Sequence, residues 1–512
     1  FLLHLQSSEL SQWMFHIVAA ALVTLVVLLY LRKVSQPQTK KHLPGPWALP
    51  LVGNLGIGNE ASLFRRSVEW TKIYGPIFRL KNGMANLVIM SDIEHIKKFY
   101  TSKNAVFRPS NPVVEELKRS SMVVTGTSKF NGKAWKQNRN FLLSVFEDLG
   151  FGKPSIEDHI MEELQELVSQ LSNTAGGLIN VKDYITASVS NIIAAVMFGS
   201  RFDTGEAKRK CLVKHLKNIL DGSEFGLTVG TKPKWLSRVM ASLPLNRPEV
   251  KGVKRESWLA IQELVREKIT EHKNTLNPDF NRDFIDGYLQ KMREHHADPT
   301  SPFSEENLQE HTAEFLLSGT GPLSMRIFWV LHICAQNPNS VQSKIQKEID
   351  DVVGRHRPPT WEDRKEMPFT LASLKEALRW ISVGTIGCSR SVPEDTVIGD
   401  YLIPKGSIAL INVRAVLRNP MYWSNPDDFD PTRFLSNDGD KLEKKVDAFI
   451  PFGVGRRSCP GQSLAFVEMF LYIATLLQKF NVFPEYRDHL ARMGSAEATA
   501  DPLVQRLRFV LR

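Results

Sequence analysis

Cysteine is scarce in this sequence and follows no pattern. Only Cys211, Cys334, Cys388 and Cys459 occur in 512 residues, with no Cys-x-x-Cys pair and no regular spacing. That excludes a disulfide framework and a zinc knuckle, and it agrees with a reducing compartment. Internal repeats and low-complexity stretches are missing too. Long apolar runs are limited to one, Trp13 to Leu31, and no Lys or Arg precedes Arg32. With 42% hydrophobic and 23% charged residues, the chain is neither disordered nor a polytopic membrane protein.

The single apolar run is long enough to matter. Nineteen residues at 1.5 Å each span roughly 28 Å, about one bilayer core. A cleaved signal would have a shorter apolar region followed by small residues, whereas Arg32 and Lys33 follow here directly. The reading is therefore a tail (1–12), a retained transmembrane anchor (13–31), a basic linker (32–42) and a globular body (43–512). Arg32, Lys33, Lys40 and Lys41 all follow the span, which leaves the body on the cytosolic side. The 65 Lys and Arg against 55 Asp and Glu give +10. That charge favours acidic partners or anionic lipid, and no nucleic-acid partner is expected.

Beyond the linker, LPGPWALPLVGNL (43–55) is too rich in proline and glycine to be helical. From about 60 to 380 most segments have helical period, as in SIEDHIMEELQELVSQL (155–171) and SVQSKIQKEIDDVV (340–353). Strand-like runs are few, chiefly FRLKNGMANLVIM (78–90) and DTVIGDYLIPKGSIALIN (395–412). The expected fold is mainly α with small β-sheets, and 222–250 reads as an irregular connection rich in apolar and basic residues. Within TAEFLLSGTGPLSMR (312–326), Gly321-Pro322 interrupts the pattern of a long helix. A proline in a helix interior costs about 3 kcal/mol, so this is either a helix end or a functional kink.

The strongest chemical signal is PFGVGRRSCPGQSLAFVEMFLYIATLLQKF (451–480). Cys459 sits among Gly453, Gly455 and Gly461, after Arg456 and Arg457 and before an apolar helix. Glycines let the backbone wrap a sulfur, and a helix N-terminus adds partial positive charge. Both favour a thiolate. FGVGRRSCPG resembles the heme-binding loop of the cytochrome P-450 superfamily, Phe-x-x-Gly-x-Arg-x-Cys-x-Gly, with Phe452, Gly455, Arg457, Cys459 and Gly461 at the fixed places. The resemblance implies heme b (iron protoporphyrin IX), lying between a long distal helix and the helix after the cysteine loop. Cys459 would be the axial ligand of the iron.

Other segments resemble the same family in the same order. KEALR holds Glu376 and Arg379, similar to its structural Glu-Arg pair, and FDPTRF supplies Arg433 to complete that network. GKAWKQNR places Trp135 and Arg139 one turn apart, and with Arg390 and Arg457 they look like partners of the heme propionates. The proline-rich segment resembles the microsomal members. One place departs from the family: its distal helix usually reads Ala-Gly-x-Asp/Glu-Thr, and here it reads Ser318-Gly319-Thr320-Gly321-Pro322. The acid-alcohol pair that helps deliver protons during oxygen activation is missing, and Ser318, Thr320 and Ser324 are the hydroxyls nearby, with Thr320 and Ser324 taken as candidates.

The resemblance implies an endoplasmic-reticulum monooxygenase, single-pass and facing the cytosol. It would oxidise a lipophilic small molecule with O2 and NADPH electrons. The electrons would come through NADPH-cytochrome P-450 reductase, with cytochrome b5 as a further donor and membrane lipid as a contact. Lys133 and Lys136 mark a basic face for such a partner. The alternative keeps fold and heme but converts a hydroperoxide or endoperoxide as an isomerase or dehydratase, which needs neither a reductase nor the acid-alcohol pair. The cysteine loop has ordinary spacing with no insertion, which weighs against that alternative.

Overall fold

The computed structural model describes residues 43–49, 53–54, 60–83, 85–109, 130–148, 154–220, 248–277, 279–381, 389–442, 446–486 and 506–512, and the isolated positions 20, 21 and 24. Apart from those three positions, the anchor expected at 13–31, the linker at 32–42 and most of the irregular connection at 222–250 lie outside these described residues.

A first helix, α1 (Glu60–Tyr74), leads into a hairpin of β1 (Ile77–Asn82) and β2 (Ala85–Met90). Its turn uses Gly83 at φ +58, a left-handed conformation that glycine adopts without a steric cost. Then come α2 (Ile93–Tyr100), α3 (Gly132–Asp148), α4 (Pro154–Ser172), β3 (Leu178–Ile179), α5 (Val181–Phe198) and α6 (Ala207–Leu220). The helical series continues with α7 (Pro248–Thr275), α8 (Phe284–Glu294), α9 (Glu305–Gln336), α10 (Ser343–Val352) and α11 (Pro368–Ile381). The strand-like run 395–412 resolves into β5 (Thr396–Ile398), β6 (Tyr401–Ile403) and β7 (Ile408–Ile411), after a short β4 (Arg390–Ser391). The chain closes with α12 (Val413–Leu417), α13 (Gln462–Lys479), β8 (Phe480–Pro484) and β9 (Leu507–Leu511).

The sheets are small, as the few alternating runs require. One has the order β1-β2-β7-β4, with β2 and β7 parallel and the other pairs antiparallel; a second is β3-β9-β8, and β5 pairs with β6 alone. The larger apolar core gathers α4, α5, α9, α11 and α13. Among the described residues, α5 is the helix long and apolar enough to cross a membrane, yet most of it is buried in this core against α9.

Helix α9 runs through the middle of the core. Ser304 caps it by accepting the Asn307 amide at 3.2 Å, and Glu305 and Glu306 sit in its first turn, where negative charge is favoured. The helix continues across Pro322 to Gln336, so the Gly-Pro pair lies inside it and is not its end. Proline has no amide hydrogen, so the Ser318 carbonyl receives no bond from position 322. The glycines before it serve close packing. A Cβ on Gly319 would lie 2.9 Å from Ile193 Cδ1 of α5, and one on Gly321 would lie 2.6 Å from Leu220 Cδ2 of α6.

Candidate active site

The cysteine loop is built by glycines in conformations that other residues avoid. Gly453 and Gly455 have φ of +78 and +79, and a Cβ on Gly455 would fall 2.0 Å from the Tyr100 carbonyl oxygen. The loop therefore closes against α2 only with glycine there. Cys459 donates its amide to the Phe452 carbonyl at 2.9 Å, and Gly461 is the residue before the first turn of α13. Of the described cysteines, Cys334 is buried, and burial pushes its thiol up to about 12, while Cys459 is exposed. Cys211 is half-buried on α6, away from any glycine loop, which leaves Cys459 as the described cysteine that fits a thiolate ligand.

Around this loop the fold collects cations from distant parts of the chain. Arg457 Nε donates to the Val106 carbonyl at 2.7 Å, its Nη2 reaches the Phe130 carbonyl and the Asn131 side chain, and its guanidinium lies 4.5 Å from the Trp135 ring centre. Arg390 Nη2 lies 3.4 Å from the Arg457 carbonyl. Arg390 and Arg108 both donate to the Ser389 carbonyl, at 3.1 and 2.8 Å. Burial, followed by the charges of Arg108, Arg390 and Arg139, pushes Arg457 down to about 8, with Glu314 opposing. Burial also lowers Arg139, against the charge at Cys459. Guanidinium groups keep their protons in proteins, so such a cluster calls for anions.

Glu376 and Arg379 form a two-pronged pair, Nε to Oε2 at 2.6 Å and Nη2 to Oε1 at 2.7 Å, both 0% exposed. Arg433 Nε reaches Glu376 Oε1 at 3.3 Å, and the Asp430 amide donates to the same oxygen at 2.9 Å. Arg379 also binds the carbonyls of Leu417, Pro426 and Asp428, at 3.0, 2.8 and 3.0 Å. The donors of this arginine are all used: those on Glu376 stay within α11, and those on the Leu417, Pro426 and Asp428 carbonyls fasten α11 to the segment ahead of the cysteine loop.

On α9 the open face reads Glu314, Ser318, Pro322 and Arg326, one residue every four positions. Thr320 and Ser324 lie on the opposite, buried side. The Thr320 hydroxyl has no hydrogen-bond partner among the described residues, and Ser324 donates to the Thr320 carbonyl at 2.7 Å. The structure thus puts Ser318 on the face with Pro322 and turns both candidate hydroxyls into the core. Sequence reasoning passed over Arg108, a single arginine with no spacing signal. It passed over Arg326 as well, although the four-residue period after Pro322 marks it.

These residues fit a heme. A glycine-wrapped thiolate donor, a helix N-terminus behind it and arginines suited to two propionates are the groups that a heme thiolate site needs. Fold and site together define a heme-thiolate oxidoreductase. A family model for cytochrome P-450 matches residues 43–497. The chain is 32% identical over 489 residues to cytochrome P-450 2J2 of Homo sapiens, covering 94% of each. It is 33% identical over 481 residues to cytochrome P-450 2J5 of Mus musculus, covering 93% of this chain and 92% of that one. With cytochrome P-450 2C8 of Homo sapiens it shares 32% over 454 residues, 86% and 88% of the two chains. The chain belongs to the cytochrome P-450 family, is a monooxygenase by class, and uses heme as its cofactor.

Proposed function

We propose that this enzyme is a membrane-attached monooxygenase that inserts one atom of O2 into a lipophilic small molecule, with NADPH electrons delivered by a flavoprotein reductase. The observation that carries the reading is the exposed Cys459 in its glycine loop, set among Arg108, Arg139, Arg390 and Arg457. Bound there, heme supplies oxygen activation; the protein holds, orients and protonates. Cys459 would hold the iron, and the arginines with Trp135 would hold the propionates. Phe315 and Met325 on α9 are partly buried apolar groups that suit a lipophilic ligand.

Proton handling falls to the open face of α9. Ser318 offers a hydroxyl there, and its carbonyl, without a donor from Pro322, accepts from a water. Ser318 with that water takes the place of the absent acid-alcohol pair. The exposed Lys133 and Lys136 at the start of α3 suit an acidic reductase or cytochrome b5. Attachment through 13–31 places the enzyme on the cytosolic side of the endoplasmic reticulum.

The test is NADPH consumption and product formation with purified reductase, beside the spectrum of the reduced carbon monoxide complex. The wild type should need reductant, and Cys459→Ala should lose the thiolate-type band. Rapid turnover of a hydroperoxide without reductant would transfer the assignment to the isomerase or dehydratase class.

A further inference from the structure

Arg326 connects the long helix directly to the loop carrying the sulfur. It lies one turn beyond Pro322 on the open face of α9. Its guanidinium carbon is 4.5 Å from the centre of the Phe452 ring, and Nη2 is 3.4 Å from the Pro451 carbonyl, 125 residues away in sequence. Phe452 also accepts the amide of Cys459 at 2.9 Å, so the cation rests on the residue to which the sulfur-bearing residue is bonded. A guanidinium over an aromatic face is attracted by the ring quadrupole, the more so when water is excluded. Burial pushes Arg326 down to about 10, and the charge of Cys459 works against that fall.

The counter-charge is what sets this arginine apart. Among the described residues Arg326 forms no ion pair with a carboxylate; a ring and a carbonyl are its contacts there. Arg457, by contrast, has Glu314 acting on it. Arg326 is half-buried, and the negative charge that acts on it is that of Cys459, whose loop its guanidinium touches at Pro451 and Phe452. When one electron enters the site from a flavin donor, ferric iron becomes ferrous, no bond is made or broken, and the site gains one negative charge. A fixed cation nearby stabilises the form with more negative charge, and it does so strongly where water is excluded.

Resting on the heme-thiolate reading above, we propose that Arg326 is a positioning residue for electron entry. Its charge against the Cys459 loop raises the ferric–ferrous reduction potential above what a neutral side chain would give. Arg326 does not touch the reacting oxygen; it acts through the loop and the sulfur.

The test is a spectroelectrochemical titration of the full-length holoenzyme beside Arg326→Gln, Arg326→Met and Arg326→Lys, each with its reduced carbon monoxide spectrum. Both neutral variants should keep the thiolate-type band while the reduction equilibrium falls about tenfold, which is 59 mV for one electron. Arg326→Lys, which keeps the charge, should fall less. An unchanged potential in either neutral variant with the band intact overturns the proposal. So does failure of both neutral variants to hold heme while the lysine variant holds it, since the charge would then serve only to keep the loop in shape. A wild type without the thiolate-type band would sink the heme-thiolate reading instead, a separate outcome.

Discussion

At the scale of single residues, the chemistry depends on groups that are costly in isolation and tolerable together. Glu376 and Arg379 are the clearest case, because each is fully buried and each is satisfied by the other. Removing one member leaves a buried charge without its partner, at a cost of about 3–5 kcal/mol. Glu376→Ala should therefore express without stable heme, checked by the ratio of heme absorbance to protein. A folded, heme-loaded but inactive protein would give the pair a chemical role instead. The pair was legible in the sequence because its spacing is one helical turn, and the cysteine loop because its fixed places are close together; Arg433, 57 residues from Glu376, was legible only through the family resemblance. Arg108 was not legible. Its place beside Arg390 depends on both guanidinium groups meeting the Ser389 carbonyl, 281 residues further along from Arg108. Arg326 reads as an ordinary helix arginine until Phe452 is packed against it.

At the scale of elements, the proposed proton handling rests on the open face of α9. The long helix and the missing acid-alcohol pair are legible in the sequence, but the side of the helix that Thr320 and Ser324 share is set by packing, which buries both. Ser318→Ala should raise the peroxide released per NADPH consumed roughly tenfold, less than the ~10²-fold of a sole general acid because water still reaches the site. Thr320→Ala should leave that ratio unchanged. Equal effects from the two would remove Ser318 from its proposed role. A second element-scale device joins α7 to α8. His272 Nε2 lies 2.7 Å from Asp283 Oδ2, and Asp283 also caps α8 by accepting the Asp286 amide. Burial opposes the charged imidazole, but the bond to Asp283 and its charge outweigh that and raise the His272 pKa above 6.5. The charged pair is thus fully formed in the folded state below the unfolded value, and its contribution is lost as pH rises through the folded value. The gap in thermal midpoint between wild type and His272→Gln should be widest in mild acid and narrow toward alkaline pH. A gap that widened with pH would reverse the assignment.

At the scale of the whole molecule, the small sheets and the buried helices follow from where apolar residues recur, and the mainly helical class was legible for that reason. The core position of α5 was not, since its composition alone would also suit a membrane. Deleting residues 1–31 should shift much of the protein from the membrane to the soluble fraction on centrifugation, with heme retained. Protection of the catalytic body from protease in intact microsomes would contradict a cytosolic orientation. The network around Arg379 also bears on the order in which the molecule is made. This arginine takes carbonyls from residues up to 49 positions later, and Glu376 takes the Asp430 amide 54 positions later. During synthesis α11 emerges well before those partners, so its ion pair stays hydrated until the chain has passed Asp430. The loop holding Cys459 emerges later still. Heme uptake is then the closing act of biogenesis and not a template for it, and nascent chains arrested before residue 430 should leave α11 open to protease whether or not heme is supplied.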